Sequence, residues 1–163
     1  MIKAIMACDR NGGVGLRGQL PWPHIERDFR WFMDRTLHGV IVMGRNTWND
    51  PQLGHPMPDR VSYVVTSTPG TCSEAHGHLS ADLHQSIRAL ESEHPGRQVW
   101  VIGGVGLIQQ ILPVIDQFYL SRIPGDFECD CFLPMSELDK WAVLSEESHP
   151  DVTFQILRNP LLA

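Results

Sequence analysis

The sequence predicts an α/β fold in which a mostly parallel central sheet is covered by helices on both faces. Apolar runs of strand length alternate along the 163 residues with segments of helical periodicity. These runs are apolar almost throughout, rather than at every second position, which is typical of strands buried on both sides. No repeat, low-complexity segment or linker interrupts the pattern, so we expect one domain over residues 1–163.

Each element has its own signal in the chain. The predicted strands lie at residues 2–7, 40–43, 61–65, 99–102 and 117–123, followed by an antiparallel pair at residues 141–148 and 152–157. The first predicted helix runs from Ile25 to about Leu37, and the second starts after Gly44 and stops before a proline. The third is capped by Ser80, and the fourth covers residues 107–112.

Charge and cysteine content exclude several classes of function. The net charge of −6 argues against a general nucleic-acid binder. No apolar run reaches the length of a membrane span and no secretory signal is visible, so we expect a cytoplasmic monomer with no membrane partner. The cysteines lack zinc spacing, and we expect His76 and His78 to lie in a solvated loop, so no metal site is predicted.

Glycine-rich and polar segments follow directly after several predicted strands. Because ligands of open α/β sheets bind beyond the carboxyl ends of the strands, these segments should gather at one binding edge. They are residues 12–18, Gly44-Arg45-Asn46-Thr47, Thr66-Ser67 and Gly103-Gly104-Val105-Gly106. The first is long and rich in glycine, which favours a mobile lid over a passive connector.

Two of these segments suit a phosphate ligand. Gly103-Gly104-Val105-Gly106 joins a strand to a helix, and the free N–H groups of a helix start attract an anion. Gln109 stands where a dinucleotide fingerprint needs its last glycine, so a plain tight turn is the alternative. Gly44-Arg45 repeats the arrangement with a positive charge, unless Arg45 is simply a solvated surface residue. Together with Thr66 and Ser67, Arg45 would favour NADP over NAD.

Asp28 is a carboxylate on the flank of an apolar helix face formed by Ile25, Phe29, Phe32 and Met33. A first-turn acid that is favoured by the helix dipole is one explanation. The other is a pocket group that holds a cationic or N–H-rich ligand, since a buried carboxylate needs a partner. Trp22, Phe29, Phe32 and the end of the first strand would wall an apolar slot around Asp28, and Ser121 could supply a hydroxyl.

In their order and spacing, these segments resemble the dihydrofolate reductase family over almost the whole chain. The matching residues are Ile5-Met6-Ala7, Val14-Gly15, Leu20-Pro21-Trp22, Asp28 with Trp31-Phe32, Val42 to Trp48, Pro58-Asp59-Arg60, Thr66-Ser67, Val101-Ile102-Gly103-Gly104, Phe118 to Ser121, and Phe127 to Pro134. The resemblance implies about eight strands with the last one antiparallel, a cis Gly103-Gly104 bond, and reduction of 7,8-dihydrofolate to tetrahydrofolate with NADPH as cofactor.

The resemblance also implies roles for individual residues. Asp28 would bind the pterin and, with Trp22 and Ser121, promote protonation at N5 while hydride reaches C6. The folate would be held by Ile5, Met6, Asp28, Phe29, Phe32, Leu53, Met57, Arg60, Ile102 and Ser121, with Arg60 on the glutamate α-carboxylate. The cofactor would be held by Ala7, Val14, Gly15, Leu16, Leu20, Gly44, Arg45, Asn46, Thr47, Thr66, Ser67, Ile102, Gly103, Gly104, Val105, Gly106 and Leu107.

Some positions depart from the family pattern. Gly106 replaces a common basic residue near the 2′-phosphate, Ile108 a tyrosine, and Cys129 a glycine on a loop that touches the lid. Residues 50–55 and the stretch from Trp22 to Asp28 each carry an extra residue. Two alternative functions remain open: the same-fold pyrimidine reductase of riboflavin synthesis, and a non-catalytic nucleotide-binding module. The pairing of Asp28 with Arg60 favours folate.

Overall fold

The computed structural model describes residues 1–17, 19–53 and 56–162. The strands are β1 (Ile2–Cys8), β2 (Gly13–Gly15), β3 (Val40–Gly44), β4 (Val61–Val65), β5 (Gly77–Leu79), β6 (Val99–Gly103), β7 (Gln117–Arg122), β8 (Cys131–Phe132), β9 (Ala142–Ser148) and β10 (Thr153–Arg158). The helices are α1 (Glu26–Thr36), α2 (Arg45–Trp48), α3 (Leu83–Glu93), α4 (Val105–Ile111) and α5 (Met135–Leu138), with short 3₁₀ turns at Pro69–Cys72, Leu112–Val114 and Pro160–Leu162.

The central sheet has eight strands in the order β5-β4-β3-β6-β1-β7-β10-β9. Neighbouring strands from β5 to β7 run parallel, and β10 is antiparallel to both β7 and β9. The predicted fold class, a mostly parallel sheet with its last strand antiparallel, is therefore confirmed. A second, two-stranded sheet pairs β2 with β8.

Side chains that alternate along the strands build a core on each face of the sheet. In β3, Val40 and Val42 pack into one core with residues of α3 and α4. Ile41 and Met43 point the other way and pack with residues of α1 and α2. Because both faces of the central strands are covered, nearly every residue there is apolar, as the sequence pattern predicted.

Several predicted boundaries differ from the structure. Helix α4 begins at Val105 rather than at residue 107, because the extended Gly104 is its N-cap. Helix α3 begins after Asp82, whose left-handed backbone (φ of 48°) turns the chain just before the helix. Asp82, and not Ser80, is therefore the N-cap. The expected solvated loop holds for His76, which is exposed just before β5 and accepts a hydrogen bond from the Ser62 backbone N–H. It is wrong for His78, which lies half-buried in β5 and bonds to the Cys72 carbonyl.

The predicted lid is partly regular structure rather than irregular loop. Residues 13–15 form β2 and pair with β8, and Leu16 forms a bridge with Gln19. Gly18, which was part of the predicted lid, lies outside the described residues, as do the last two positions of the segment 50–55. Among the described helices, none is both long enough and apolar enough to cross a membrane.

Candidate active site

Most of the predicted site residues lie at the ends of parallel strands that share one edge of the sheet. Strands β1, β3, β4, β6 and β7 are parallel neighbours, so the segments that follow them leave the sheet on the same side. Helix α1, which carries Asp28, packs against the sheet face that includes Ile5 and Ile102. In β6, Ile102 is the extra residue of a bulge opposite β3, a distortion that often lies beside functional sites.

Asp28 lies in the first turn of α1 and is half-buried. No side chain caps this helix at Ile25, and Asp28 is one of the two acids in its first turn, where the helix dipole favours a negative charge. The Ser121 hydroxyl, on a residue that is only 2% exposed in β7, donates a hydrogen bond to the carboxylate. Burial raises the pKa of Asp28 above its ordinary value. The Ser121 hydrogen bond and the charge of His24 oppose this rise, while Asp151 adds to it.

An apolar wall surrounds this part of the sheet edge. Five predicted folate residues share one cluster. Three of them are buried, namely Ile5, Met57 and Ile102, and the other two, Leu53 and Phe32, are partly exposed. Trp22 and Ala7 lie in a neighbouring cluster that also includes Ile25 and Phe127. Phe29 is 42% exposed and its ring centroid lies 5.5 Å from that of His24, as expected for a side chain at the open mouth of a pocket.

Arg60 is a buried cation at the far end of this wall. Its guanidinium donates to the backbone carbonyls of Met33 (2.6 Å) and Pro58 (2.8 Å) and to the Thr36 hydroxyl (3.3 Å). These partners are neutral, and no carboxylate hydrogen bonds to Arg60 within the described part of the chain. Burial lowers the pKa of Arg60, opposed by the charge of Asp59. With a further contact from Nη2 to the Met33 sulfur (3.9 Å), four bonds on five N–H groups still leave donor capacity for an anionic ligand.

The cofactor half of the predicted site centres on the bond between Gly103 and Gly104, which is cis, as the family resemblance implied. A side-chain carbon on Gly103 would lie 3.2 Å from the Met6 methyl group, and one on Gly44 would lie 3.8 Å from the Gly103 carbonyl oxygen. The Thr47 hydroxyl lies beside both glycines of the cis bond. The structure therefore brings Met6, Gly44, Thr47 and the cis peptide together.

Residues of α4 divide between core and surface. Val105 and Leu107 are 8% and 6% exposed, and their side chains belong to the core, so only their backbone groups can face a cofactor. Gly106 between them is exposed, and a side-chain carbon placed on it would meet nothing within 4 Å. Ile108 is also buried in this core. These side chains serve packing, and the open position at Gly106 is free for substitution.

Arg45 belongs to a hydroxyl network at the ends of β3 and β4. Its guanidinium donates to the Thr68 hydroxyl (3.3 Å), which lies 3.2 Å from the buried Thr66 hydroxyl. Asn46 and Ser67 are exposed beside it. Sequence reasoning missed Thr68, although a third hydroxyl directly after Thr66-Ser67 was a usable signal. Arg45 is thus oriented by a neighbour rather than being an isolated surface charge.

The lid, defined here as residues 12–20 apart from Gly18, is fastened to the loop that precedes β8. The Asp130 backbone N–H donates to the Gly15 carbonyl (2.8 Å), and the Asp130 carboxylate accepts from the Arg17 backbone N–H (2.9 Å). Val14, Gly15 and Leu16 are half-buried and Leu20 is 46% exposed. The family resemblance implied that the loop of Cys129 touches the lid, but sequence reasoning did not single out Asp130 as the residue that makes the contact.

A separate recess of about 570 Å³ lies between α1 and the β9–β10 hairpin. Trp31 and Phe154, whose rings stack at 4.4 Å, form part of its wall. Its charges are largely compensated, because Arg27 pairs with Asp151 and Arg30 with a glutamate one turn away. The apolar, glycine-lined edge beside Asp28 is therefore the better candidate for a binding site.

The chain was compared with known proteins. A model of the family described as dihydrofolate reductase matches residues 1–158. Dihydrofolate reductase of Rattus norvegicus is 28% identical over 95% of this chain and 89% of its own length. That of Drosophila melanogaster is 30% identical over 80% of this chain and 77% of its own. A structure of dihydrofolate reductase from Enterococcus faecalis complexed with NADP(H) and RAB-propyl superposes with a TM-score of 0.83 at 26% identity, covering 98% of this chain and 96% of that one.

The family model spans nearly the whole chain, and the solved structure covers 98% of it. Sequence, topology and site geometry thus agree. The chain belongs to the dihydrofolate reductase family of NADP-dependent oxidoreductases.

Proposed function

We propose that this protein, as a single reductase domain over residues 1–163, converts 7,8-dihydrofolate and a proton to tetrahydrofolate at the expense of NADPH. The observation that carries the proposal is Asp28, a half-buried carboxylate with a raised pKa at the open end of an apolar wall. A carboxyl group whose pKa is raised by partial burial suits proton transfer to a bound substrate. When bound, NADPH supplies the hydride that the pterin accepts at C6.

The substrate half of the site would hold an elongated ligand with two polar ends. Asp28 would accept hydrogen bonds from the pterin N3 and 2-amino groups, which together form a fork that fits one carboxylate. The apolar wall, with Ile5, Phe32 and Met57, would bury the aromatic body. Arg60 would bind the glutamate α-carboxylate through its remaining N–H groups, giving the buried guanidinium a charged partner.

Proton delivery to N5 would depend on Asp28, Ser121 and Trp22. The Ser121 hydrogen bond holds the Asp28 carboxylate in place and stabilises its ionised form, which moderates the effect of burial. Trp22 is 7% exposed and would help to close the site against bulk water while ordering a water molecule beside N5. The remaining contribution of the protein is to bring the two reacting rings together in one orientation.

The cofactor half suits NADPH. Gly44, Gly103 and Gly104 carry no side chain and lie beside the Thr47 hydroxyl, which would let a pyrophosphate approach the backbone. Arg45 and the Thr66–Thr68 hydroxyl pair would bind the 2′-phosphate. Gly106 offers no charge there, so the preference for the phosphorylated cofactor would rest on Arg45.

The alternative functions fit the site less well. A pyrimidine reductase of riboflavin synthesis would have no glutamate for the buried guanidinium of Arg60 to bind. A non-catalytic nucleotide-binding module would not need Asp28 and Ser121 in contact on the substrate side. Folate reduction uses both features.

Mixing the protein with NADPH and dihydrofolate tests the proposal. We expect the near-ultraviolet absorbance of the reduced nicotinamide to fall with time. A dihydropteridine without the p-aminobenzoylglutamate tail should need a higher concentration to reach half of its maximal rate, because it lacks the partner of Arg60. A flat trace with folded protein, alongside turnover of a ribosylated aminopyrimidine, would move the assignment to the pyrimidine reductase.

We expect Asp28→Asn to fold and bind NADPH but to lose about 100-fold or more of its turnover at neutral pH. The amide cannot assist protonation, so activity should partly recover in acid, where solvent protonates the substrate. In the wild type, the raised pKa means that hydride transfer should slow as pH rises through the Asp28 pKa. Stopped-flow measurements of a single turnover across pH check both statements. Unchanged turnover of the variant at neutral pH would exclude this role for Asp28.

Replacing Ser121 with Ala should move the pH profile of hydride transfer to higher pH. The hydroxyl donates to the Asp28 carboxylate and lowers its pKa, so without that bond the effect of burial is less opposed. The control is Ser145→Ala on the exposed strand β9, which leaves Asp28 untouched. A profile that keeps the wild-type midpoint in Ser121→Ala would show that the hydrogen bond does not tune the acid.

Gly106→Arg should tighten NADPH binding about three- to tenfold while leaving NADH binding nearly unchanged. The position is exposed and open, so the new guanidinium can reach a 2′-phosphate without displacing other groups. Gly106→Gln is the matched control, because it gives a similar side chain and helix propensity without the charge. Dissociation constants for both cofactors, obtained from quenching of tryptophan fluorescence, provide the measurement. Equal changes for NADPH and NADH would place the 2′-phosphate elsewhere.

A further inference from the structure

Asp9 is a fully buried carboxylate that the proposed reaction does not use. It is the first residue after β1, and its backbone N–H donates to the Gly13 carbonyl (2.8 Å) at the start of the lid. A buried carboxylate is costly unless its lone pairs are satisfied. The hydrogen-bond donors around the Asp9 carboxylate therefore identify the segments of the chain that this charge connects.

The two oxygens of Asp9 bind two different loops. Oδ1 accepts hydrogen bonds from the backbone N–H groups of Asn11 (2.9 Å) and Gly13 (2.8 Å), in the turn that leads into the lid. Oδ2 accepts from the Phe127 backbone N–H (3.0 Å) and lies 3.5 Å from the Cys129 thiol, in the loop between β7 and β8. Burial alone would raise the pKa of Asp9, but these donors outweigh it and hold the pKa below its usual range. The carboxylate thus stays charged and joins the two loops.

The contact between the two loops has no free space. A side-chain carbon on Gly13 would lie 2.4 Å from the Cys129 Cβ and 3.0 Å from Asp9 Oδ1. One on Gly12 would lie 2.3 Å from Met135 Cγ, on the helix that follows β8. A side chain at either position would clash at this contact, so the close packing depends on glycine.

The same contact extends to the proposed site through Phe127. The Phe127 ring packs edge-on against Trp22, with ring centroids 5.8 Å apart. The Phe127 backbone N–H therefore donates to the Asp9 carboxylate, while the Phe127 ring supports the Trp22 ring. A continuous set of contacts runs from the buried carboxylate to the residue that we place beside the protonation site.

We propose that Asp9 is a positioning residue for catalysis: its buried carboxylate fastens the lid to the β7–β8 loop and, through Phe127, fixes the Trp22 ring at the active site. This inference rests on the proposed function. Asp9 touches neither substrate nor cofactor in this scheme and acts only through the groups that it holds. Its loss should reduce the rate of hydride transfer more than it reduces folate binding, because misplacement of the reacting groups is costly.

The test compares Asp9→Asn with the wild-type protein. The amide offers one acceptor oxygen, so it can satisfy one loop but must turn an N–H₂ group toward donors of the other. We expect single-turnover hydride transfer to slow about tenfold or more, with the dissociation constant for dihydrofolate changed less than twofold. Fluorescence of the tryptophans should report an altered environment for Trp22. Rates are compared at a temperature where denaturation curves show both proteins to be folded.

Asp126→Asn is the matched control. The Asp126 carboxylate accepts from the Glu128 backbone N–H (3.0 Å) within the same loop and does not cross to the lid. Its variant should transfer hydride at the wild-type rate. Phe127→Leu is the second variant, because it keeps the backbone N–H for Asp9 but removes the ring that contacts Trp22, and it should also slow hydride transfer. This variant keeps the test decisive if Asp9→Asn does not fold.

The possible outcomes separate the two proposals. Wild-type protein that does not turn over dihydrofolate overturns the proposed function and this inference together. An active wild type with an equally fast Asp9→Asn variant overturns the inference alone and assigns Asp9 to stability only. If Asp9→Asn does not fold, wild-type rates in Phe127→Leu have the same effect. Slow hydride transfer in both variants, with Asp126→Asn unaffected, supports the positioning role.

Discussion

The Asp28 carboxylate must lie at the end of an apolar wall and still be able to exchange a proton, and much of the local structure meets this constraint. Full burial without hydrogen-bond donors would favour the neutral acid, and full exposure would make it an ordinary aspartate. Helix α1 places Asp28 in its first turn, half-buried, while β7 brings the Ser121 hydroxyl to it. Because β7 is parallel to β1, the register that pairs Ser121 with Ala7 also fixes where the acid meets the sheet.

The shape of the cofactor half of the site depends on residues without side chains more than on charge. Glycines on adjacent strands β3 and β6 leave the backbone bare at one point of the sheet edge. The bulge at Ile102 and the cis bond that follows it turn the chain directly into α4. Arg45 adds one positive charge to this surface, oriented by Thr68. A protein of net charge −6 can thus present a local phosphate site without being basic overall.

The two halves meet where β1 and β7 end side by side. The chain leaves β1 into the lid and leaves β7 into the loop that contacts it, so two segments that are distant in sequence form one closing surface. Asp9 and Asp130 connect them from opposite sides, one buried and the other exposed. The geometry of the lid is therefore set by the sheet beneath it as much as by its own glycines.

The fold class could be predicted from the sequence, because the apolar runs that a doubly covered parallel sheet requires are local patterns. The sequence also determined the order of the site segments and singled out Asp28, whose polarity conflicts with its helix face. Helix starts were less accurate: Gly104 and Asp82 begin their helices through backbone conformation, for which Ser80 was a misleading signal. Most contacts between distant residues required the three-dimensional structure. The neutral partners of Arg60, the role of Thr68 beside Arg45 and the four donors around Asp9 depend on how strands pair and loops pack, and no local pattern in the chain encodes those distances.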